Sequence, residues 1–138
     1  KLIEMFKKFY DDSHGKLLPV RAEVVVGDEE WGVTGMIDQL FLNEKSGNIE
    51  IWDWKTNKAM KKHNKWQQFK KPISNLDVCE LNTYSLQLSF YRLIVERNTN
   101  LNLGDSYIVW FNENNETYKV IKCYDFRDDI LKIMNNKS

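Results

Sequence analysis

Asp38 and, fifteen residues on, Asp53-Trp54-Lys55 are the groups in this chain best spaced to act together. Both acids lie in strand-like runs, Gly35-Met36-Ile37-Asp38-Gln39-Leu40-Phe41 and Ile49-Glu50-Ile51-Trp52-Asp53-Trp54-Lys55-Thr56. The turn-rich Asn43-Glu44-Lys45-Ser46-Gly47-Asn48 joins them, so the layout is that of a β-hairpin. Side chains alternate along a strand, which puts Asp53 and Lys55 on the face that carries Ile49 and Ile51. Charge among isoleucines is costly unless it is paired or binds a metal. Two carboxylates can hold one or two hard divalent ions, Mg2+ or Mn2+, with coordination positions left open. Such ions can activate a bound water as a nucleophile. On the trio alone, the competing reading is an ion pair in a half-exposed hairpin, with Lys55 bridging two aspartates.

The elements that must position these groups follow from periodicity. Leu2, Ile3, Met5, Phe6, Phe9 and Tyr10 suit an amphipathic helix over 1–11, ended by Ser13-His14-Gly15. Val20 to Val26 reads as a first strand, 32–42 as a second and 49–56 as a third. Leu81, Tyr84, Leu88, Tyr91 and Val95 recur at spacings of three and four, which predicts a helix over about 79–97. Ser106–Phe111 and Thr117–Tyr124 form a second hairpin, and Asp125 is placed to cap a last helix ending near Met134. A meander followed by a helical crossover predicts an α/β fold with a mixed sheet flanked by helices.

The 138 residues suffice for one domain with a proper core. Lys plus Arg and Asp plus Glu each total 20, so a polyanion would have to meet a local concentration of positive charge. From Thr56 to Leu76 there is no acid, while Lys58, Lys61, Lys62, Lys65, Lys70 and Lys71 fall there together with His63, Trp66 and Phe69. Cations interleaved with rings suit a nucleic-acid backbone with stacked bases; the plainer reading is a solvated face. Cys79 and Cys123 lack metal-knuckle spacing and read as buried thiols, in keeping with an intracellular setting. No apolar run approaches membrane-spanning length, and no membrane partner is expected.

The ordered set Gly35, Ile37-Asp38, Asp53-Trp54-Lys55-Thr56, and Gln87 with Tyr91 resembles the PD-(D/E)XK nuclease superfamily, and within it the RecB-like branch. The resemblance implies a restriction-endonuclease-like αβββαβ core and Mg2+- or Mn2+-dependent hydrolysis of DNA, at free ends or on single strands, in replication, repair or recombination. It implies Asp38 and Asp53 as metal ligands, the backbone carbonyl of Trp54 as a further oxygen, and Glu23 as a candidate to complete the shell. Lys55 would sit beside the attacking water, as electrostatic stabiliser or proton acceptor. Gln87 and Tyr91, four apart on one helix face, would contact the phosphate or the lysine and the nucleic-acid backbone, with Tyr84 extending the strip. A helicase or other replication or repair protein is the implied partner class. One departure stands out. Such enzymes take a metal ligand from a histidine on an upstream helix, and His14, nine residues before Glu23, does not match. Either Glu23 substitutes, or that segment lies outside this chain. Two alternatives therefore stay open: a nucleic-acid-binding module whose chemistry is lost, and an RNA-directed enzyme or plain interaction domain.

Overall fold

Met5 and Phe9, one turn apart, bury the inner face of helix α1 (Leu2–Ser13). Ser13 closes that helix by donating its hydroxyl to the carbonyls of Phe9 and Tyr10. The computed structural model describes residues 1–57, 59–62 and 79–135. After α1 come β1 (Leu17–Asp28), β2 (Val33–Asn43), β3 (Ile49–Lys55), helix α2 (Glu80–Asn98), β4 (Tyr107–Trp110), β5 (Lys119–Lys122) and helix α3 (Arg127–Asn135). Strand order equals chain order: β1-β2-β3 is an antiparallel meander, β3 and β4 are parallel, and β4-β5 is antiparallel. A parallel neighbour needs a long crossover, and α2 lies within the one that links β3 to β4. The mixed sheet and its flanking helices match the fold class expected from the motifs.

The β2–β3 turn is held by its own side chain. Asn43 Oδ1 accepts the backbone N–H groups of Lys45 and Ser46, and Gly47 takes φ +77°, where a side chain would be strained. β1 is longer than Val20–Val26 because β2 pairs along its whole length. Pro19 is tolerated there because β1 is an edge strand, and the register slips between Pro19 and Arg21.

Two cores form on opposite faces of the sheet. Ile37, Leu40, Ile51, Leu88, Val95, Ile108 and Cys123 pack between sheet and α2. Met5, Phe9, Phe41, Trp52, Val109 and Phe111 pack between sheet and α1, with Trp54 at their margin. Cys79 and Cys123 are free and buried, and burial pushes the Cys123 thiol up to about 12, so it is inert near neutral pH. Asp125 accepts the backbone N–H of Arg127 at the start of α3 and also binds that guanidinium. Among the described residues, no helix is long and apolar enough to cross a membrane.

A latch between distant residues closes the β1–β2 end onto α2. Asp28 Oδ2 accepts Arg97 Nε at 2.8 Å and Asn98 Nδ2 at 3.0 Å, while its Oδ1 takes the Trp31 N–H. The Arg97 guanidinium covers the Trp31 ring at 4.1 Å, and Trp31 stacks on Phe90. The Arg97 hydrogen bond, helped by the Trp31 N–H, lowers the Asp28 carboxyl to about 2. A depressed acid contributes stability above its unfolded value of about 4 and loses it as pH falls toward 2. Arg97→Ala is therefore expected to lower the thermal midpoint at pH 7 and to flatten its decline between pH 4 and 2; differential scanning calorimetry measures both.

Candidate active site

β3 sorts its residues by alternation. Trp52 and Trp54 turn to the α1 side, where Trp54 meets Phe6 and Phe9 edge-on at 5.5 and 5.6 Å. Ile51, Asp53 and Lys55 turn to the α2 side. The aromatic layer thus anchors the strand from behind while its acid and amine face forward. Glu50, on the rear face, is occupied by Trp52 Nε1 and Asn43 Nδ2 and belongs to the framework.

The β2–β3 ladder runs from Leu42↔Ile49 to Gln39↔Trp52 and ends there. Immediately beyond it, the Asp38 carboxylate accepts the Trp54 N–H at 3.0 Å, bridging the parting strands. Asp38 is thereby delivered beside Asp53. Asp53 is 6% exposed, and Lys55 Nζ lies 2.8 Å from its Oδ2. That contact is an ion pair without hydrogen-bond alignment, so Oδ2 is a buried oxygen accepting no well-formed hydrogen bond. Burial, then the neighbouring Asp38 carboxyl, raises the Asp53 acid to about 7, and Lys55 only partly opposes them. Burial would lower the Lys55 ammonium, but Asp53, Tyr84 and Asp38 outweigh it and hold it above the usual lysine value. The amine is therefore charged at neutral pH.

α2 supplies the opposite wall. Tyr84 places its ring 4.3 Å from Lys55 Nζ, a cation–π contact. The half-buried ring also packs on the α2 core. Gln87 donates to the Tyr91 hydroxyl at 3.1 Å, so these two are joined as their spacing implies. Tyr91 lies against Gly35: a Cβ there would sit 2.4 Å from Tyr91 Cε1. This contact is the physical reason for a glycine three residues before Asp38. Tyr91 thus stands over β2, while Tyr84 meets the amine.

The structure does not gather Glu23 into the site. It lies opposite Asp38 by register, between the pairs Ala22↔Gln39 and Val24↔Ile37, yet its side chain is exposed. Among the described residues, no three His, Cys, Asp or Glu side chains form a group able to hold a metal ion. Glu23 has φ +51°, uncommon for a residue with a side chain. Glu23→Gly should relieve that backbone and raise stability by about 0.5–1 kcal/mol. Were Glu23 a ligand, the same change would also weaken Mn2+ binding, and paired thermal and metal titrations separate the two effects.

Lys61 and Lys62 are exposed, and the Lys61 backbone is tied to the start of α2 through Leu81 N and Glu80. Lys58, Lys65 and Trp66 lie outside the described residues. Alternation alone did not expose a strap at the edge of the site. Asn57 O accepts Trp110 Nε1 at 2.6 Å and Asn112 Nδ2 at 2.9 Å, while Lys55 O accepts Phe111 N. The parity of Trp110 with buried Ile108 is the only sequence signal for it.

The residues present fit a small hard cation. Asp38 and Asp53 offer oxygen donors, and buried Asp53 Oδ2 lacks a well-formed hydrogen bond. Mg2+ is commonly held by one or two carboxylates, with waters and substrate phosphate completing its shell.

The PD-(D/E)XK nuclease superfamily model matches residues 1–134. This chain belongs to that superfamily. Thirteen chains of solved structure match it. One is a candidate exonuclease from Eubacterium rectale, with 16% identity, a TM-score of 0.56, and coverage of 97% of this chain and 48% of that one. The present chain thus spans about half the length of that structure, and at such identity the likeness concerns the fold. No curated protein matches.

Proposed function

We propose that this chain is a divalent-metal-dependent deoxyribonuclease of RecB-like type, hydrolysing phosphodiester bonds at DNA ends or on single strands in replication, repair or recombination. The observation that carries the reading is the convergence of Asp38, Asp53 and Lys55 around a buried carboxylate oxygen without a well-formed hydrogen bond. Mg2+ or Mn2+, held by Asp38, Asp53 and the Trp54 carbonyl, would supply Lewis acidity and water activation. Lys55 acts as a fixed positive charge and hydrogen-bond donor to the scissile phosphate rather than as a base. Its charged form is favoured in place, and Tyr84 restricts its movement. Gln87 and Tyr91 form a bonded pair beside the site to receive the backbone of the substrate strand. A helicase or other replication or repair protein is the partner class that such a role implies.

One observation favours a second reading, a binding module without catalysis: no third ligand joins the two aspartates among the described residues. Calorimetric titration with Mn2+ separates the readings. Wild type should bind at least one ion and Asp38→Ala far more weakly, and equal heats from both would sink the proposal. Competition between DNA and RNA oligonucleotides of equal length tests the choice of polymer.

A further inference from the structure

Lys55, Trp110 and Lys119 are successive partners across three strands: Lys55 pairs with Trp110 and Trp110 with Lys119. Partners in register point to the same face of a sheet. Ile108, two before Trp110, lies in the α2 core, whereas Val109 and Phe111 lie in the α1 core, so Trp110 and Lys119 share the face of Lys55. An amine, an indole and a second amine therefore form one row, spanning about 10 Å over two inter-strand steps. The row begins at the lysine of the site and ends at the β5 edge. Its indole is oriented: Trp110 Nε1 is bonded to Asn57 O, two residues beyond Lys55. Lys119 Nζ stands 5.6 Å from the indole centre, and among the described residues no carboxylate pairs with it. Lys122, three residues on, differs in both respects, because it points to the opposite face and pairs with Asp105 at 3.2 Å.

We infer that this row is a track for a single nucleic-acid strand passing between the site and the β5 edge. Trp110 stacks one base, and Lys119 neutralises one phosphate beyond the phosphate held at Lys55. The inference rests on the nuclease reading and adds to it the path of the substrate strand. A fixed ring flanked by cations is the arrangement that accepts a base on its face and the backbone on either side. A cross-strand pair serving only to guard the sheet edge would share the contact but would not read a base.

Fluorescence anisotropy of a labelled single-stranded 12-mer in EDTA, beside an abasic strand of equal length, tests the track. Trp110→Ala should weaken binding of the normal strand by about ten- to a hundredfold and of the abasic strand little, while Trp110→Phe stays within a few-fold. Lys119→Ala should reduce the slope of log affinity against log salt by about 0.7, and Lys122→Ala should leave that slope unchanged. Equal slopes for the two lysine variants, or equal losses on both strands for Trp110→Ala, would overturn the track. Mn2+-dependent cleavage by wild type is measured alongside. Cleavage with unaltered binding by the variants rejects the track and leaves the nuclease reading standing. Absence of both binding and cleavage by wild type rejects both.

Discussion

Asp53→Ala is expected to lower Mn2+-dependent DNA cleavage by about a thousandfold, which is about 4 kcal/mol of barrier. The loss follows from removing the oxygen that the fold buries without an aligned hydrogen bond and aims at Lys55. Single-turnover cleavage of labelled DNA measures it, and a residual rate within tenfold of wild type would exclude Asp53 as a ligand. The same residue predicts an unusual pH profile for the metal-free protein. Its folded pKa, about 7, lies above the unfolded value near 4. The folded state therefore holds the proton more tightly. The stability this brings is complete below about pH 4 and is lost as pH rises through 7. Metal-free wild type should lose thermal stability between pH 5 and 8, and Asp53→Ala should show a flatter profile. Mn2+ should restore more stability at pH 8 than at pH 5.5, because ion uptake displaces the proton.

Gly35→Ala is the second substitution with a large expected effect. Its Cβ would fall 2.4 Å from Tyr91 Cε1, on a ring that is packed against the α2 core and hydrogen-bonded by Gln87. Relief requires the ring to swing or β2 to retreat, a cost of about 1–3 kcal/mol for overpacking. Either movement disturbs Asp38, three residues along the same strand. Cleavage should fall together with the thermal midpoint. In a Tyr91→Ala background, Gly35→Ala should cost much less, because the clashing atoms are gone. Equal losses in both backgrounds would show that the close approach is not the cause.

The parts of the molecule legible in the sequence are those written in short-range pattern. Asn43 and Gly47 announce the β2–β3 turn, alternation in β3 sorts tryptophans from the acid and amine, and the three-four spacing in α2 marks its inner face. What stayed hidden depends on residues far apart in the chain. Asp28 and Arg97 are 69 positions apart, and neither flanking segment hints at the other. The ring of Tyr84 meets Lys55 because α2 lies over β3, a placement that no short-range pattern encodes. Glu23 entered only as a candidate to complete the shell, and its left-handed backbone is set by the local path of β1 rather than by glutamate preference.

β1 forms one border of the sheet, with Leu18, Val20 and Val25 all exposed along it. A straight oily border of that kind recruits strands from other molecules, and ordered fibrils need about six or seven uninterrupted residues to grow. Here the run is broken three times in quick succession, by the ring of Pro19, by the register slip that follows it, and by the turned backbone of Glu23. The apolar stretch left beyond Glu23, Val24 to Val26, is too short to seed a fibril. The chain guards this border by bending it, and a variant that straightened it would trade solubility for self-association.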